Sequence, residues 1–158
     1  MVTESKYFNF NANAVKTVFI CLGNRDRADD GVGIEIGREL KKKTELKVYT
    51  EEDDDLDTAL LEALEDPDIE KIVFIDAADF DSIPGTFIVT PTLSDKIRIL
   101  STHSFPINHW EELIKQHNKQ MVFIGIQVSN VNFMGEVTEG VKKAKEKVLQ
   151  LINPFNEQ

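Results

Sequence analysis

Residues 18–33 have the sequence VFICLGNRDRADDGVG, and this stretch decides the fold. A run of apolar residues leads into a polar loop that carries two adjacent aspartates, Asp29 and Asp30, and the loop leads into a helical pattern. Short continuous apolar runs are typical of strands that are buried on both faces, as in parallel sheets. The stretch therefore predicts a strand, a loop and a helix, with two carboxylates placed just beyond the end of a buried strand.

Similar apolar runs alternate with helical patterns along the rest of the chain. The predicted strands are residues 15–22, 46–49, 71–75, 86–90, 96–100 and 121–126. The predicted helices are residues 33–43, residues 56–64, one that begins at Pro106 and one that Thr138 caps. This alternation predicts a three-layer α/β/α sandwich with a mostly parallel central sheet. We expect a single domain over residues 1–158, with residues 1–14 loosely ordered.

Composition and charge exclude several classes of function. A chain of 158 residues can form one domain with a substantial core. Its net charge of -10 disfavours binding to nucleic acid and to anionic membranes. The N-terminus has no signal-peptide pattern, no apolar run reaches transmembrane length, and Cys21 has no partner for a disulfide within the chain. We expect a cytoplasmic monomer in which Cys21 is a small core residue.

The glycines of the first loop do not form a phosphate site. Gly23, Gly31 and Gly33 lack the G-x-G-x-x-G spacing, the chain has no G-K-[ST] triplet, and two carboxylates would repel a phosphate. One interpretation is that Asp29 or Asp30 caps the helix that begins near Gly31. Capping would account for one of the two aspartates. It would not account for the second aspartate or for the length of the loop.

Asp76 and His103, together with the acidic pair, indicate a metal site. Asp76 ends the apolar strand predicted at residues 71–75, so parallel strands would bring it to the same edge of the sheet as Asp29 and Asp30. Carboxylates that share a crevice repel each other unless a cation is present. His103 lies in a loop before the Pro106 helix, and an imidazole with two carboxylates suits nickel or zinc.

The acidic run at residues 51–55 (EEDDD) is better explained as a solvated loop than as a site. Blocks of like charge usually face water.

These motifs, taken in order, resemble those of the nickel–iron hydrogenase maturation endopeptidases. The family motif G-N-x-x-x-x-D-[DE]-G-x-G corresponds to GNRDRADDGVG, the aspartate strand to VFIDAAD at residues 73–79, and the histidine loop to STHSFPIN at residues 101–108. The stretches PGTFIV, VFIGIQ and VTEGV also match in order. The resemblance runs from about residue 16 to residue 151 and is closest to the subgroup that serves formate-linked and coenzyme-reducing hydrogenases.

The resemblance implies an α/β/α endopeptidase that removes a C-terminal extension from the hydrogenase large-subunit precursor after nickel insertion. It assigns catalysis and metal binding to Asp30, Asp76 and His103, and a capping or supporting role to Asp29. The nickel would arrive with the precursor. The chain departs from the family pattern at Ala28, where glycine is frequent, and at Asp26, where an apolar residue is common. TEEDDD stands where the family often has Gly-Gly.

Two alternatives come from other classes of protein. A phosphoreceiver domain also has an acidic pair after its first strand and an acceptor aspartate, which would be Asp76. However, seven residues separate Leu22 from Asp30, and residues 127–130 (QVSN) offer no lysine after the last strand. A non-catalytic metal-binding scaffold is the other alternative. The chain shows no Ser/His/Asp set and no candidate cysteine nucleophile, so covalent catalysis has no support.

Overall fold

The computed structural model describes residues 16–43, 45–100 and 105–152. In these ranges a six-stranded sheet is flanked by four α-helices, which confirms the predicted α/β fold class. The strands are β1 (Thr17–Cys21), β2 (Lys47–Thr50), β3 (Lys71–Asp79), β4 (Phe87–Thr90), β5 (Arg98–Ile99) and β6 (Gln120–Gln127). The helices are α1 (Val32–Leu40), α2 (Leu56–Glu65), α3 (Ile107–Gln116) and α4 (Glu139–Ile152). None of these helices is long and apolar enough to cross a membrane.

The strand order is β2-β1-β3-β6-β4, and β5 pairs with the end of β3. Strands β2, β1, β3 and β6 are parallel to one another, whereas β4 runs antiparallel to β6 and β5 runs antiparallel to β3. The carboxyl ends of the four parallel strands therefore share one edge of the sheet. The connections that follow β1, β2, β3 and β6 all begin at this edge, which we call the carboxyl edge.

The helices cover both faces of the sheet, as the continuous apolar strands predicted. Helices α1 and α4 pack on one face and helices α2 and α3 on the other. Alternate residues of β1 point to opposite faces, with Phe19 and Cys21 towards α1 and α4, and Val18 and Ile20 towards α2 and α3. Cys21 is fully buried, which confirms its prediction as a core residue.

The prediction that Asp76 ends its strand is wrong. Strand β1 stops pairing with β3 at Cys21 and Ile75, but β3 continues to Asp79 because β6 and β5 keep pairing with it. Asp76 is therefore the first residue of β3 beyond the end of β1. The predicted strand at 96–100 is also shorter, at two residues, and the helix predicted at 33–43 ends at Leu40.

Two glycines bring α1 into close contact with the sheet. A Cβ atom at Gly33 would lie 2.2 Å from the carbonyl oxygen of Leu22 and 2.7 Å from that of Ile75. A Cβ atom at Gly37 would lie 2.7 Å from Cγ2 of Thr50. The start of α1, and with it the loop that precedes α1, is therefore held directly on the ends of β1 and β3.

Candidate active site

The loop between β1 and α1 is a 3₁₀ segment, Arg25–Gly31, with a kink in its middle. The side chain of Asn24 starts the segment by accepting a hydrogen bond from the backbone N–H of Asp26. The kink lies at Arg27 and Ala28, and Ala28 has a positive φ of 51° with a ψ of -118°. Glycine adopts this region at little cost, whereas alanine is strained there. After the kink the chain turns inward, so that Ala28, Asp29, Asp30 and Gly31 are all buried.

Asp29 fastens this loop to the segment between β6 and α4. Its carboxylate is fully buried and accepts hydrogen bonds from the backbone N–H groups of Ser129 and Asn130, both at 2.9 Å. It also accepts from the backbone N–H and the hydroxyl of Thr138, both at 2.6 Å. Helix α1 has Gly31 as its N-cap and no side-chain cap, so the capping interpretation is wrong and Asp29 is a supporting residue.

Asp30 is buried without a comparable set of donors. It is 4% exposed, and its Oδ1 atom has no hydrogen-bond partner among the described residues. The pKa of its carboxyl is raised to about 6, chiefly by burial, while the charge of Arg27 lowers this pKa and the charge of Glu51 raises it. A buried carboxylate oxygen without a donor is rare, and a cation is its natural partner. A carboxylate with this pKa is also basic enough to accept a proton from water near neutral pH.

Asp76 is fully buried in β3, close to the end of β1. Its Oδ1 atom accepts a hydrogen bond of 2.8 Å from the backbone N–H of Ala77. The preceding residue, Ile75, accepts through its carbonyl from the N–H of Leu22 at 2.9 Å. The carbonyl of Asp30 accepts a hydrogen bond from the N–H of Asn24, which lies two residues after Leu22. Both aspartates thus belong to the backbone that surrounds the carboxyl end of β1.

His103 lies outside the described residues, but the structure describes the chain both before and after residues 101–104. Before it, Ile99 pairs with Ala78 of β3. After it, the ring of Phe105 is buried with its centroid 6.2 Å from that of Phe74. Within residues 16–43, 45–100 and 105–152, no three His, Cys, Asp or Glu side chains come together as a metal site. A triad of Asp30, Asp76 and His103 therefore stays a prediction.

The acidic run at residues 51–55 is a half-buried to exposed loop, as predicted, and two of its side chains also form hydrogen bonds with the first loop. Oε1 of Glu51 accepts a hydrogen bond from the backbone N–H of Gly23 at 3.0 Å. Glu52 forms two hydrogen bonds with the guanidinium of Arg25, at 2.8 and 3.0 Å. The run thus supports the first loop from the β2 side, and Glu51 adds a further negative charge close to Asp30.

Enzymes with an open α/β sheet have their active sites beyond the carboxyl ends of the strands. In this protein the buried carboxylates lie at that edge of the sheet. The model of the hydrogenase maturation protease family, HycI, matches residues 56–154, which is more than half of the chain. The chain belongs to this family, and it is a hydrolase of the endopeptidase class. The matched range includes Asp76 and His103, whereas Asp30 precedes it.

Individual relatives agree with the family. The chain is 25% identical over 134 residues to the Hydrogenase 3 maturation protease of Escherichia coli strain K12, which covers 84% of this chain and 86% of that protein. The solution structure of the endopeptidase HycI from Escherichia coli has a TM-score of 0.72 at 23% identity, covering 89% of this chain and 91% of that one. The crystal structure of the [NiFe] hydrogenase maturation protease HycI from Thermococcus kodakarensis also has a TM-score of 0.72, at 21% identity, covering 94% and 98%.

Membership of this family disfavours both alternatives from other classes, the phosphoreceiver domain and the non-catalytic scaffold. Receiver domains have the parallel strand order 2-1-3-4-5, whereas the outer strand β4 is antiparallel here. A purely non-catalytic scaffold does not fit membership of a family of proteases.

Proposed function

We propose that this protein removes the C-terminal extension of a nickel–iron hydrogenase large-subunit precursor after nickel has been inserted into that precursor. The observation that carries the proposal is the buried Oδ1 atom of Asp30, which lacks a donor within the described part of the chain. The folded loop thus presents a buried carboxylate oxygen without a hydrogen-bond donor at the carboxyl edge. In this proposal the nickel belongs to the substrate, and its positive charge would face this oxygen when the precursor binds.

Asp76 and His103 complete the proposed nickel-reading set. Alternation along β3 assigns Asp76 to the sheet face that carries α2 and α3, because Ile72, Phe74 and Ala78 pack there. The segment that contains His103 leads into α3 on this same face. Two carboxylates and one imidazole are ligands that suit nickel, and they leave coordination positions for the precursor's own ligands.

The chemistry assigned to this site is attack of water on the scissile peptide carbonyl. Asp30 would accept the proton of the attacking water, and that proton would pass to the leaving amine as the peptide bond breaks. Cys21 is not a nucleophile, because it is fully buried and burial raises the pKa of its thiol far above the ordinary value. We also propose that the protein is a cytoplasmic monomer, which cell fractionation and sedimentation would check.

The test is cleavage of a nickel-loaded precursor, followed by mass spectrometry of the precursor's C-terminus. The wild-type protein should remove the extension. The variants Asp30→Asn, Asp76→Asn and His103→Ala should each slow cleavage by roughly 100-fold or more, as expected for lost acid–base or charge-stabilising groups.

Two exposed residues provide matched controls for these variants. Asp95→Asn and His109→Ala change the same residue types at exposed positions and should cleave at the wild-type rate. Wild-type rates in both Asp30→Asn and Asp76→Asn would overturn the assignment of the site. No cleavage by the wild-type protein would overturn the proposed function.

A further inference from the structure

Large apolar side chains are exposed on the loops at the carboxyl edge. The described residues include five exposed large apolar side chains: Leu61, Ile83, Phe133, Met134 and Val137. Three of the five lie between β6 and α4, where Phe133 is 75% exposed and Met134 is 72% exposed. Exposed apolar residues that cluster in one segment mark interaction surfaces more often than single scattered ones do. We call Phe133 and Met134 the apolar tip.

Hydrogen bonds tie the apolar tip to the loop that carries Asp30. The backbone N–H of Met134 donates to the carbonyl of Asp26 at 2.6 Å. Nε of Arg27 donates to the carbonyl of Val131 at 3.2 Å. Together with the four hydrogen bonds accepted by Asp29, these contacts join the two segments along most of their length. The tip is therefore bonded to the loop that carries Asp30.

The backbone of the tip is held in a conformation that its sequence does not favour. Met134 has a φ of 59°, in the left-handed region that methionine adopts only at a cost. Such conformations persist where the surrounding structure imposes them, and they concentrate at functional sites. Here the N–H of Met134 is hydrogen-bonded to Asp26, and both side chains of the tip remain exposed to solvent.

We propose that the apolar tip is a docking surface for an apolar patch of the hydrogenase large-subunit precursor, an inference that rests on the proposed function. A precursor that brings its nickel to Asp30 must approach the loop to which the tip is bonded, so it would cover the tip. The chain has a net charge of -10, and carboxylates of Asp30 and Glu51 lie near this edge. An apolar contact supplies affinity there without requiring a strongly basic partner surface.

The experiment compares the double variant Phe133→Ser/Met134→Ser with the wild type, using a nickel-loaded precursor. The double variant should raise KM and the dissociation constant by about tenfold or more while kcat changes less than about twofold, because the tip contacts the partner and not the reacting atoms. Phe133→Leu/Met134→Leu should restore most of the affinity. Leu61→Ser removes an apolar side chain that is 54% exposed on α2 and should leave KM and kcat unchanged.

Several outcomes would overturn the docking surface. An unchanged KM and dissociation constant in the double variant would do so while leaving the proposed function intact. If the wild type were a dimer in sedimentation and the serine variant a monomer with unchanged KM, the tip would be a contact between copies of this chain. If the wild type does not cleave the precursor, the proposed function fails, and the dissociation constants alone decide the docking surface. An absence of any binding overturns both.

Discussion

Asp29 and Asp30 are neighbours in the chain, yet their surroundings give them opposite roles. The carboxylate of Asp29 accepts four hydrogen bonds, whereas Oδ1 of Asp30 accepts none from the described residues. The sequence indicates that two carboxylates require more explanation than a helix cap. It does not indicate which aspartate is structural, because the donors to Asp29 lie 100 or more residues away along the chain.

Asp30→Asn should stabilise the metal-free protein at neutral pH. The carboxyl of Asp30 has a pKa of about 6 in the folded protein against an ordinary value of 3.8, so between these values the folded state binds more protons than the unfolded state. Stability due to this group is therefore present below the ordinary pKa and is lost as pH rises through about 6. The loss amounts to at most about 3 kcal/mol.

Urea unfolding of the wild type and the Asp30→Asn variant between about pH 4 and pH 7 measures this effect. The stability advantage of the variant should grow with pH. An advantage that stays constant over this range would show that Asp30 does not titrate as described.

Asp29→Asn should have the opposite effect on stability. An amide group cannot accept all four hydrogen bonds, and its N–H₂ would face a buried donor, so we expect a loss of about 3 kcal/mol. Thr138→Val removes only the hydroxyl donor and should cost about 1 kcal/mol. Chemical denaturation compares the three proteins, and a loss in Asp29→Asn no larger than that in Thr138→Val would contradict the supporting role.

At the level of elements, the apolar runs located most strands and helices but not their limits or directions. Strand β3 extends past Asp76 because β6 and β5 supply pairing partners for Ala77, Ala78 and Asp79, and such distant partners leave no local signal. The antiparallel direction of β4 is likewise invisible in the pattern of its side chains. The acidic run at residues 51–55 faces solvent as predicted, but its hydrogen bonds to Gly23 and Arg25 left no local signal because those two residues belong to another loop.

The two glycines of α1 should differ in their tolerance of a side chain. Valine at Gly33 or Gly37 should lower stability, since a branched side chain pushes the helix off the sheet. Alanine distinguishes the two positions: at Gly33 its Cβ meets backbone carbonyl oxygens at 2.2 and 2.7 Å, whereas at Gly37 it meets mainly side-chain atoms of Thr50 and Cys21. Side chains can shift, but the hydrogen-bonded backbone of a sheet cannot shift as easily.

We expect Gly37→Ala to cost about 1–3 kcal/mol and Gly33→Ala to cost more. Thermal or urea unfolding of the two variants checks the order. A variant that melts like the wild type but fails to cleave the precursor would show that its glycine contacts the substrate instead.

At the level of the whole molecule, the site is assembled from segments that are far apart in sequence. The parallel order β2-β1-β3-β6 brings the loop with Asp30, the strand with Asp76 and the segment with the apolar tip to the same edge. The order of motifs along the chain was sufficient to predict the family and the fold. It could not predict the apolar tip, because an exposed Phe and Met in a loop differ from core residues only once the structure shows their exposure.

The central claim is that this protease acts on a precursor that already holds nickel. The measurement is the rate of precursor cleavage, followed as a mobility shift on a gel, for nickel-loaded and nickel-free precursor under otherwise identical conditions. Because the nickel of the precursor would face the Oδ1 atom of Asp30, which has no donor among the described residues, we expect only the nickel-loaded precursor to be cleaved. Equal cleavage of the nickel-free precursor would contradict the claim, even though the protein would remain a protease.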